Sequence, residues 1–335
     1  MKGRFDMSRR KFLQRLCQIV ALSELPLSSF GDTSSGGRFR IRQVAKPSRW
    51  DLVAVKGKTA SYEEITERAV KEFGGIGKFV RKGDRVVITA NMAFQRTPEQ
   101  AATTHPLLIR KMVELCQQAG ASKITCLDYT TDDWRQSFEA CGVEAAIRGT
   151  TATLLSPTDP AMYEDVDISR SVPKTLSNGK PYECIHKARQ IDQKIPREIL
   201  ECDSLICMPI VKSHVQAVVT ISLKMLMGDI WNRNDYHRFG LDACIAELNM
   251  ALRPTLILAD ATRVLQTNGP KGPGEVTSPN TVVAGVDPVA VDSYCTRFLT
   301  TLAITPYQAP HLILANQLGR GEIDCGKLKI KEMTV

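Results

Sequence analysis

Residues 85–90 read R-V-V-I-T-A, residues 107–119 read L-L-I-R-K-M-V-E-L-C-Q-Q-A, and residues 123–127 read K-I-T-C-L. The first and third are short runs of β-branched and aliphatic residues, the strand type. The middle one carries apolar residues at helical spacing and stops at Gly120. A strand, a helix and a second strand in that order form the unit that joins parallel neighbours, because a parallel pair needs a long crossover.

Working outward, W-D-L-V-A-V-K (50–56) is another strand, and Ser61 with Glu64 forms a capping box for a helix to about Phe73, ended by Gly74 and Gly75. Further strands are expected at 151–155, 204–211, 255–260 and 281–285. Helices are expected at about 133–141, 215–227, 241–251, 288–300 and 308–317. The alternation predicts an α/β fold: a mostly parallel sheet with helices on both faces, in a single domain over 48–330. Residues 156–195, rich in Pro, Asp, Ser and Asn, break the rhythm and read as an irregular insertion.

Composition narrows the function. Of 335 residues 43% are hydrophobic and 24% charged, the profile of a globular chain. No apolar run approaches the roughly 18–20 residues of a membrane span. The formal charge is +8, but residues 1–37 hold six Lys or Arg against three Asp or Glu, which leaves the rest near +5. Mild basicity with 6% aromatic residues does not make a nucleic-acid binder.

The N-terminus reads as an export signal, removed after use. Arg9 and Arg10, followed by Phe12 and Leu13, precede a moderately apolar stretch from Leu16 to Leu27 and then a tail of small residues. The paired arginines resemble the twin-arginine signal of bacteria and archaea, whose export machinery carries folded proteins. The expected location is periplasmic or otherwise extracytoplasmic. Ten cysteines occur without any C-x-x-C, so the spacing offers no zinc knuckle and no iron–sulfur cluster motif. An oxidising destination permits a disulfide, with no pair singled out. Cys202 and Cys207 read as packed residues.

In parallel sheets, ligands collect beyond the carboxyl ends of the strands. The polar residues expected there are Asn91, Asp128, Lys212, His214, Asp260 and Asp287. A helix over 215–227 would be apolar nearly all round, with Gln216, Thr220 and Lys224 as its one polar stripe. A lysine on a buried helix needs an anion, a carboxylate partner or a shifted pKa. Two readings stand: an internal salt bridge to Asp260, Asp287 or Asp292, or an ammonium facing a pocket with Lys212 and His214. Asp287-Pro288 reads as an N-cap with proline at the first helical position, and Asp292 lies in the opening turn. The loop N-G-P-K-G-P-G (268–274) is a surface turn or a mobile wall; it lacks phosphate-loop spacing. His237 reaches the same rim or lies in solvent, and His105, His186 and His311 carry no readable constellation. No G-x-G-x-x-G follows the first strand, and neither G-x-S-x-G nor H-E-x-x-H occurs.

The ordered set G-G-I-G-K-F-V-R-K-G-D-R-V-V-I-T-A-N (74–91), M-P-I-V-K-S-H (208–214), S-L-K-M-L-M-G (222–228), P-T-L-I-L-A-D (254–260), N-G-P (268–270) and D-P-V-A-V-D (287–292) resembles the family known as domain of unknown function 362. The resemblance covers most of 50–330. It implies that Asn91, Lys212, His214, Lys224, Asp260, Asp287 and Asp292 are signature polar positions, and it implies partnership with iron–sulfur ferredoxin modules. This chain departs from the family pattern at Thr89-Ala90, where Lys-Pro is usual, and at Met225, where asparagine is usual. It also lacks the ferredoxin module, so a cluster would come from a partner.

Three functions fit. The first is an enzyme or cofactor binder in which Lys212, His214 and Lys224 hold an anionic small molecule while Asp260 or Asp292 positions or takes a proton. The second is a non-catalytic exported binding protein using the same basic pocket. The third is a redox partner docking a ferredoxin-like subunit. Replacing Arg9 and Arg10 with lysine in the native host is expected to retain the protein in the cytoplasm. Unchanged delivery in cell fractions would remove the twin-arginine reading.

Overall fold

Valine, isoleucine and leucine fill both faces of the central strands, and that pattern requires cover on both sides. The computed structural model describes residues 39–335 apart from 46 and 192, so the expected export signal with Arg9 and Arg10, and Cys17, lie outside the described residues. Its strands are β1 (Leu52–Lys56), β2 (Arg85–Ala90), β3 (Lys123–Leu127), β4 (Thr153–Leu155), β5 (Tyr163–Asp165), β6 (Lys194–Pro196), β7 (Ser204–Met208), β8 (Ile210–His214), β9 (Val218–Thr220), β10 (Leu256–Leu265), β11 (Val276–Thr277), β12 (Thr281–Gly285) and β13 (Ile330–Thr334). The main sheet runs β13-β1-β12-β10-β7-β2-β3-β4, with β11 and β8 also paired to β10, and β9 to β8. Strands β10, β7, β2, β3 and β4 are mutually parallel. Strand β12 runs against both β10 and β1. The fold is α/β with a mixed, mostly parallel sheet.

Alternation along the strands sorts the core into two layers. Val86, Ile88, Ile206 and Met208 pack with helices Tyr62–Glu72 and Pro106–Gln118. Val87, Leu205, Cys207 and Ile257 pack on the other face with helices Leu241–Ala251, Pro288–Cys295 and Pro310–Gln317. The first helix starts where the sequence says, with the Glu64 backbone N–H donating to Ser61 Oγ at 3.2 Å and the Ser61 N–H to Glu64 Oε2 at 2.6 Å. Cys202 and Cys207 are both buried.

Segment 156–195 is irregular, as expected, with β5 pairing β6 in a separate two-stranded sheet. Glu247, buried in helix Leu241–Ala251, ties this segment down. Its carboxylate accepts from the Tyr182 hydroxyl (2.7 Å), the Ile185 and His186 backbone N–H groups (2.7 and 3.0 Å), and lies 2.6 Å from His186 Nδ1.

Three expectations are corrected. The helix expected over 215–227 is a hairpin: β8 turns through Val215–Ala217 into β9, and only Ser222–Met225 forms a helical turn, running on into a 3-10 turn at Leu226–Asp229. Val215, Val218, Val219, Thr220 and Ile221 are β-branched, and an apolar run of this kind fits a strand as well as a buried helix. The strand expected over 204–211 is divided by Pro209, which lacks a donor for the ladder. Asp260 does not end a strand; it lies inside β10.

The sixth strand-end residue is also misplaced. Because β12 is antiparallel to β10, its carboxyl end and Asp287 lie at the sheet edge opposite Asn91 and Asp128. The link from β10 to β12 is short and holds only β11, and no helical crossover intervenes to restore the direction.

Ile88, fully buried at the centre of β2, tests the layer assignment. Ile88→Ala is expected to cost about 2–5 kcal/mol in urea unfolding. A loss below about 1 kcal/mol would contradict it.

Candidate functional site

Beyond β2 the backbone of Asn91 is stitched to Thr104. Asn91 N–H donates to Thr104 Oγ1 (3.1 Å), and Thr104 Oγ1 donates in turn to the Met208 carbonyl (2.7 Å) at the end of β7. This bridge brings the Ala102 carbonyl and the Asn91 amide over β8. Lys212, fully buried, donates there to Asn91 Oδ1 at 3.2 Å and to the Ala102 carbonyl at 2.5 Å. Its Nζ lies 4.7 Å from the centre of the Phe94 ring. The register between β8 and β10 shifts between the pairs Ile210–Asp260 and Lys212–Leu265, the kind of irregularity that re-aims a side chain.

His214 closes β8. Its Nδ1 accepts from the backbone N–H groups of Gln216 and Ala217, both at 3.1 Å, which leaves the ring proton on Nε2. The hairpin carries strain: Val218 has φ +66°, a left-handed conformation that costs a β-branched residue about 1–3 kcal/mol. The Asn268–Gly274 loop packs on the same strand, with Gly269 N–H donating to Ser213 Oγ at 3.2 Å. A Cβ on Gly269 would fall 1.8 Å from the Ser213 carbonyl oxygen. The loop is held at its far side by the Lys271–Asp132 ion pair at 2.7 Å.

Lys224 is placed by Asp292. The buried Asp292 carboxylate accepts from Ser222 N–H (2.8 Å), Ser222 Oγ (2.5 Å) and Leu223 N–H (2.9 Å), fixing the helical turn that presents Lys224. Burial raises Asp292 to about 7, against the lowering effect of those bonds.

Electrostatics joins the three cationic side chains. Burial lowers Lys212 to about 7, with the charge of Lys224 adding and that of Asp128 opposing. Burial lowers Lys224 to about 8, with Arg233 adding and Asp242 opposing. Burial, then Lys224, Lys212, His237 and His311, hold His214 at about 2, so its imidazole is neutral. Lys212, His214 and Lys224 therefore lie within one another's electrostatic reach, and both lysines press on His214.

The aspartates expected beside them are engaged elsewhere. Asp260 accepts from His105 N–H (2.9 Å), Thr262 N–H (2.8 Å), Thr262 Oγ1 (2.5 Å) and Arg263 Nη2 (2.6 Å). Asp287 caps its helix through Val289 and Ala290 (2.8 and 3.0 Å), as the sequence indicated, and accepts Glu322 N–H at 2.9 Å. Neither these nor Asp292 serves as an ion-pair partner to Lys224, so the salt-bridge reading with these three carboxylates is not the observed one.

The carboxylates that Lys212 and Lys224 do feel are Asp128 and Asp242. Asp128 follows β3 and accepts Met92 N–H at 2.6 Å; burial raises it to about 6. Its neighbour Asp229, also buried, accepts from Thr89 Oγ1 at 2.7 Å and is pushed up by burial and then by Asp128. Asp242 lies 3.2 Å from His311 Nδ1, and the buried His311 Nε2 has no hydrogen-bond partner among the described residues. Asp229, Asp242, His311 and Arg233 carried no sequence signal, since they come from the turn after Lys224 and from three separate helices. His105 caps helix Pro106–Gln118, its Nδ1 accepting Leu107 N–H at 3.2 Å.

Residues 86–297 match the family described as Domain of unknown function (DUF362). The chain belongs to this family. The DUF362 span contains Asn91, Asp128, Lys212, His214, Lys224, Asp260, Asp287 and Asp292. Among named relatives, the thylakoid-associated protein sll1697 of Synechocystis sp. is 22% identical over 260 residues, 75% of this chain and 73% of that one. Among solved structures, the lactate racemase apoprotein of Thermoanaerobacterium thermosaccharolyticum is matched at TM-score 0.38 and 15% identity, over 74% of this chain and 55% of that one. A structural-genomics target from Thermotoga maritima is matched at TM-score 0.42 and 12% identity, over 74% of this chain and 60% of that one. The chain thus spans a little over half the length of either solved protein.

The charge of Lys212 has a measurable signature in this DUF362 domain. Unfolded, the lysine keeps its proton to about 10.5; folded, it begins to lose it near 7. The unfolded chain then binds more protons, so this contribution to stability increases with pH above 7. The difference in unfolding free energy between wild type and Lys212→Met is expected to move toward wild type between pH 7 and 8, by up to about 1.4 kcal/mol. A difference that stays flat would contradict a lysine whose charge is suppressed in the folded state.

Proposed function

We propose that this protein is an exported binder of an anionic small molecule, held by Lys212, His214 and Lys224 with Asn91 beside them. One observation carries the reading: the buried Lys212 and the half-buried Lys224 and His214 lie within electrostatic reach, and among the described residues Lys212 bonds to uncharged oxygens. Such a cluster opposes its own charging, and a carboxylate or phosphate would relieve it. His214 offers an Nε2–H donor whose direction is fixed by the hairpin, and Lys224 is aimed by the Asp292 cap. Asp128 and Asp242 temper the positive potential without neutralising it. Lys212 at about 7 is also poised to give or take a proton at neutral pH, which makes an enzyme the more specific form of the proposal. Export rests on Arg9 and Arg10.

The test is thermal unfolding with and without inorganic phosphate, oxalate and citrate. A ligand at a hundredfold excess over its Kd stabilises by about 2.7 kcal/mol. Wild type is expected to gain stability with at least one of these anions. Lys224→Met is expected to keep its unliganded midpoint and lose the gain. Equal stabilisation of the variant would remove Lys224 from the site, and a collapse of the unliganded variant would make the lysine structural.

A further inference from the structure

We propose that Arg253 and Arg320 form a second anion site, which takes the phosphate group of a small molecule, either free phosphate or a phosphate monoester. Helix Leu241–Ala251 ends just before β10 begins, so its C-terminus, where these arginines meet, is at the end of the sheet opposite Asn91 and Lys212. The pair therefore stands apart from the Lys212, His214 and Lys224 site.

The hydrogen bonds bring the two side chains together. Arg320 Nε donates to the Asn249 carbonyl at 2.7 Å, and Arg253 Nε donates to the Met250 carbonyl at 3.0 Å. These are consecutive carbonyls in the last turn of one helix, where no later turn supplies donors and the helix dipole draws cations. Capping accounts for one N–H of each guanidinium, and a guanidinium has five. The Nη groups of both arginines have no acceptor among the described residues, and neither arginine forms an ion pair there. Both side chains are half-buried, and their Nη atoms are open to solvent.

The nearby carboxylates do not supply the missing counter-ion. Arg320 feels Asp287, but the Asp287 oxygens are taken by the N–H groups of Val289, Ala290 and Glu322. Burial also pushes Asp287 above the usual carboxylate range, which favours its neutral form. Glu322 lies 3.7 Å from Lys327. Burial and then the charge of Arg253 bring Arg320 down to about 10, the mark of two like charges held close.

Phosphate suits this arrangement better than a carboxylate. The helix end offers only about half an elementary charge against two guanidiniums. A phosphate monoester carries about −1.5 to −2 at neutral pH and presents three oxygens, so it can accept from both forks at once. A single carboxylate balances one of them.

Phenylglyoxal, which modifies free guanidinium groups, tests the pair in the full chain, with the modified residues mapped by mass spectrometry. The arms are inorganic phosphate, glycerol 3-phosphate and chloride at matched ionic strength. Arg253 and Arg320 are expected to react in chloride, and to react about tenfold more slowly when the phosphate compound is at about ten times its Kd. Protection by both compounds supports a site for the phosphate group in general, and protection by inorganic phosphate alone supports one for the free anion. Equal rates in all three arms would overturn the site. So would arginines that do not react in chloride, since their forks would then be closed. Arg320→Gln is expected to abolish the protection of Arg253, and protection that persists would overturn the pair. Lys224→Met is expected to keep the protection at both arginines, and its loss would overturn a separate site. Any phosphate stabilisation left in Lys224→Met is expected to disappear when Arg320→Gln is added. The wild-type comparison stands however these variants fold.

Discussion

A lysine set into the edge of a sheet must find acceptors before that edge can close. In this chain the Asn91 amide and the Ala102 carbonyl meet that demand, and much of the neighbouring architecture exists to bring them there. Thr104 ties the end of β2 to the end of β7, and Pro209 frees β8 to follow β10 in place of β7. The His214 turn and the Gly269 contact then hold β8 under its covering loop.

Aspartates do two distinct jobs around this edge. Asp260, Asp287 and Asp292 satisfy backbone N–H groups and neighbouring side chains that would otherwise be buried without partners, a role worth about 1–3 kcal/mol per group. They organise strands and caps, and through Ser222 one of them aims Lys224. Asp128 and Asp242 act through charge at a distance and set how strongly the lysines hold their protons. Chemistry at the site therefore depends on both groups, but by different physics.

Much of this was legible in the sequence. The core strands at 85–90, 123–127 and 281–285 and the helix at 241–251 follow from local patterning alone. Asn91, Lys212 and His214 were singled out by the strand-end rule, and Lys224 by the polar stripe of a helix over 215–227 that is not formed. The direction of β12 was not legible, because strand pattern is the same whichever way the chain runs, and Asp287 was misplaced with it. Nor was the hairpin at 214–218, since alternation is hidden when both faces of a short strand are buried. Asp229, Asp242, Arg233 and His311 reach the neighbourhood by tertiary packing, and His311 meets Asp242 across 69 residues of sequence.

The placement of β1 has a consequence for how the molecule is made. This first strand lies between β12 and β13, so both of its ladders wait for the last sixty or so residues. During synthesis, which adds residues at about 5–20 per second, Leu52–Lys56 remains an unpaired strand, apolar over its first four residues, until the end. Such a nascent chain has to be shielded from pairing with its neighbours, and its final strand acts as a latch on its first. A protein built in this order is complete or it is sticky, with little between.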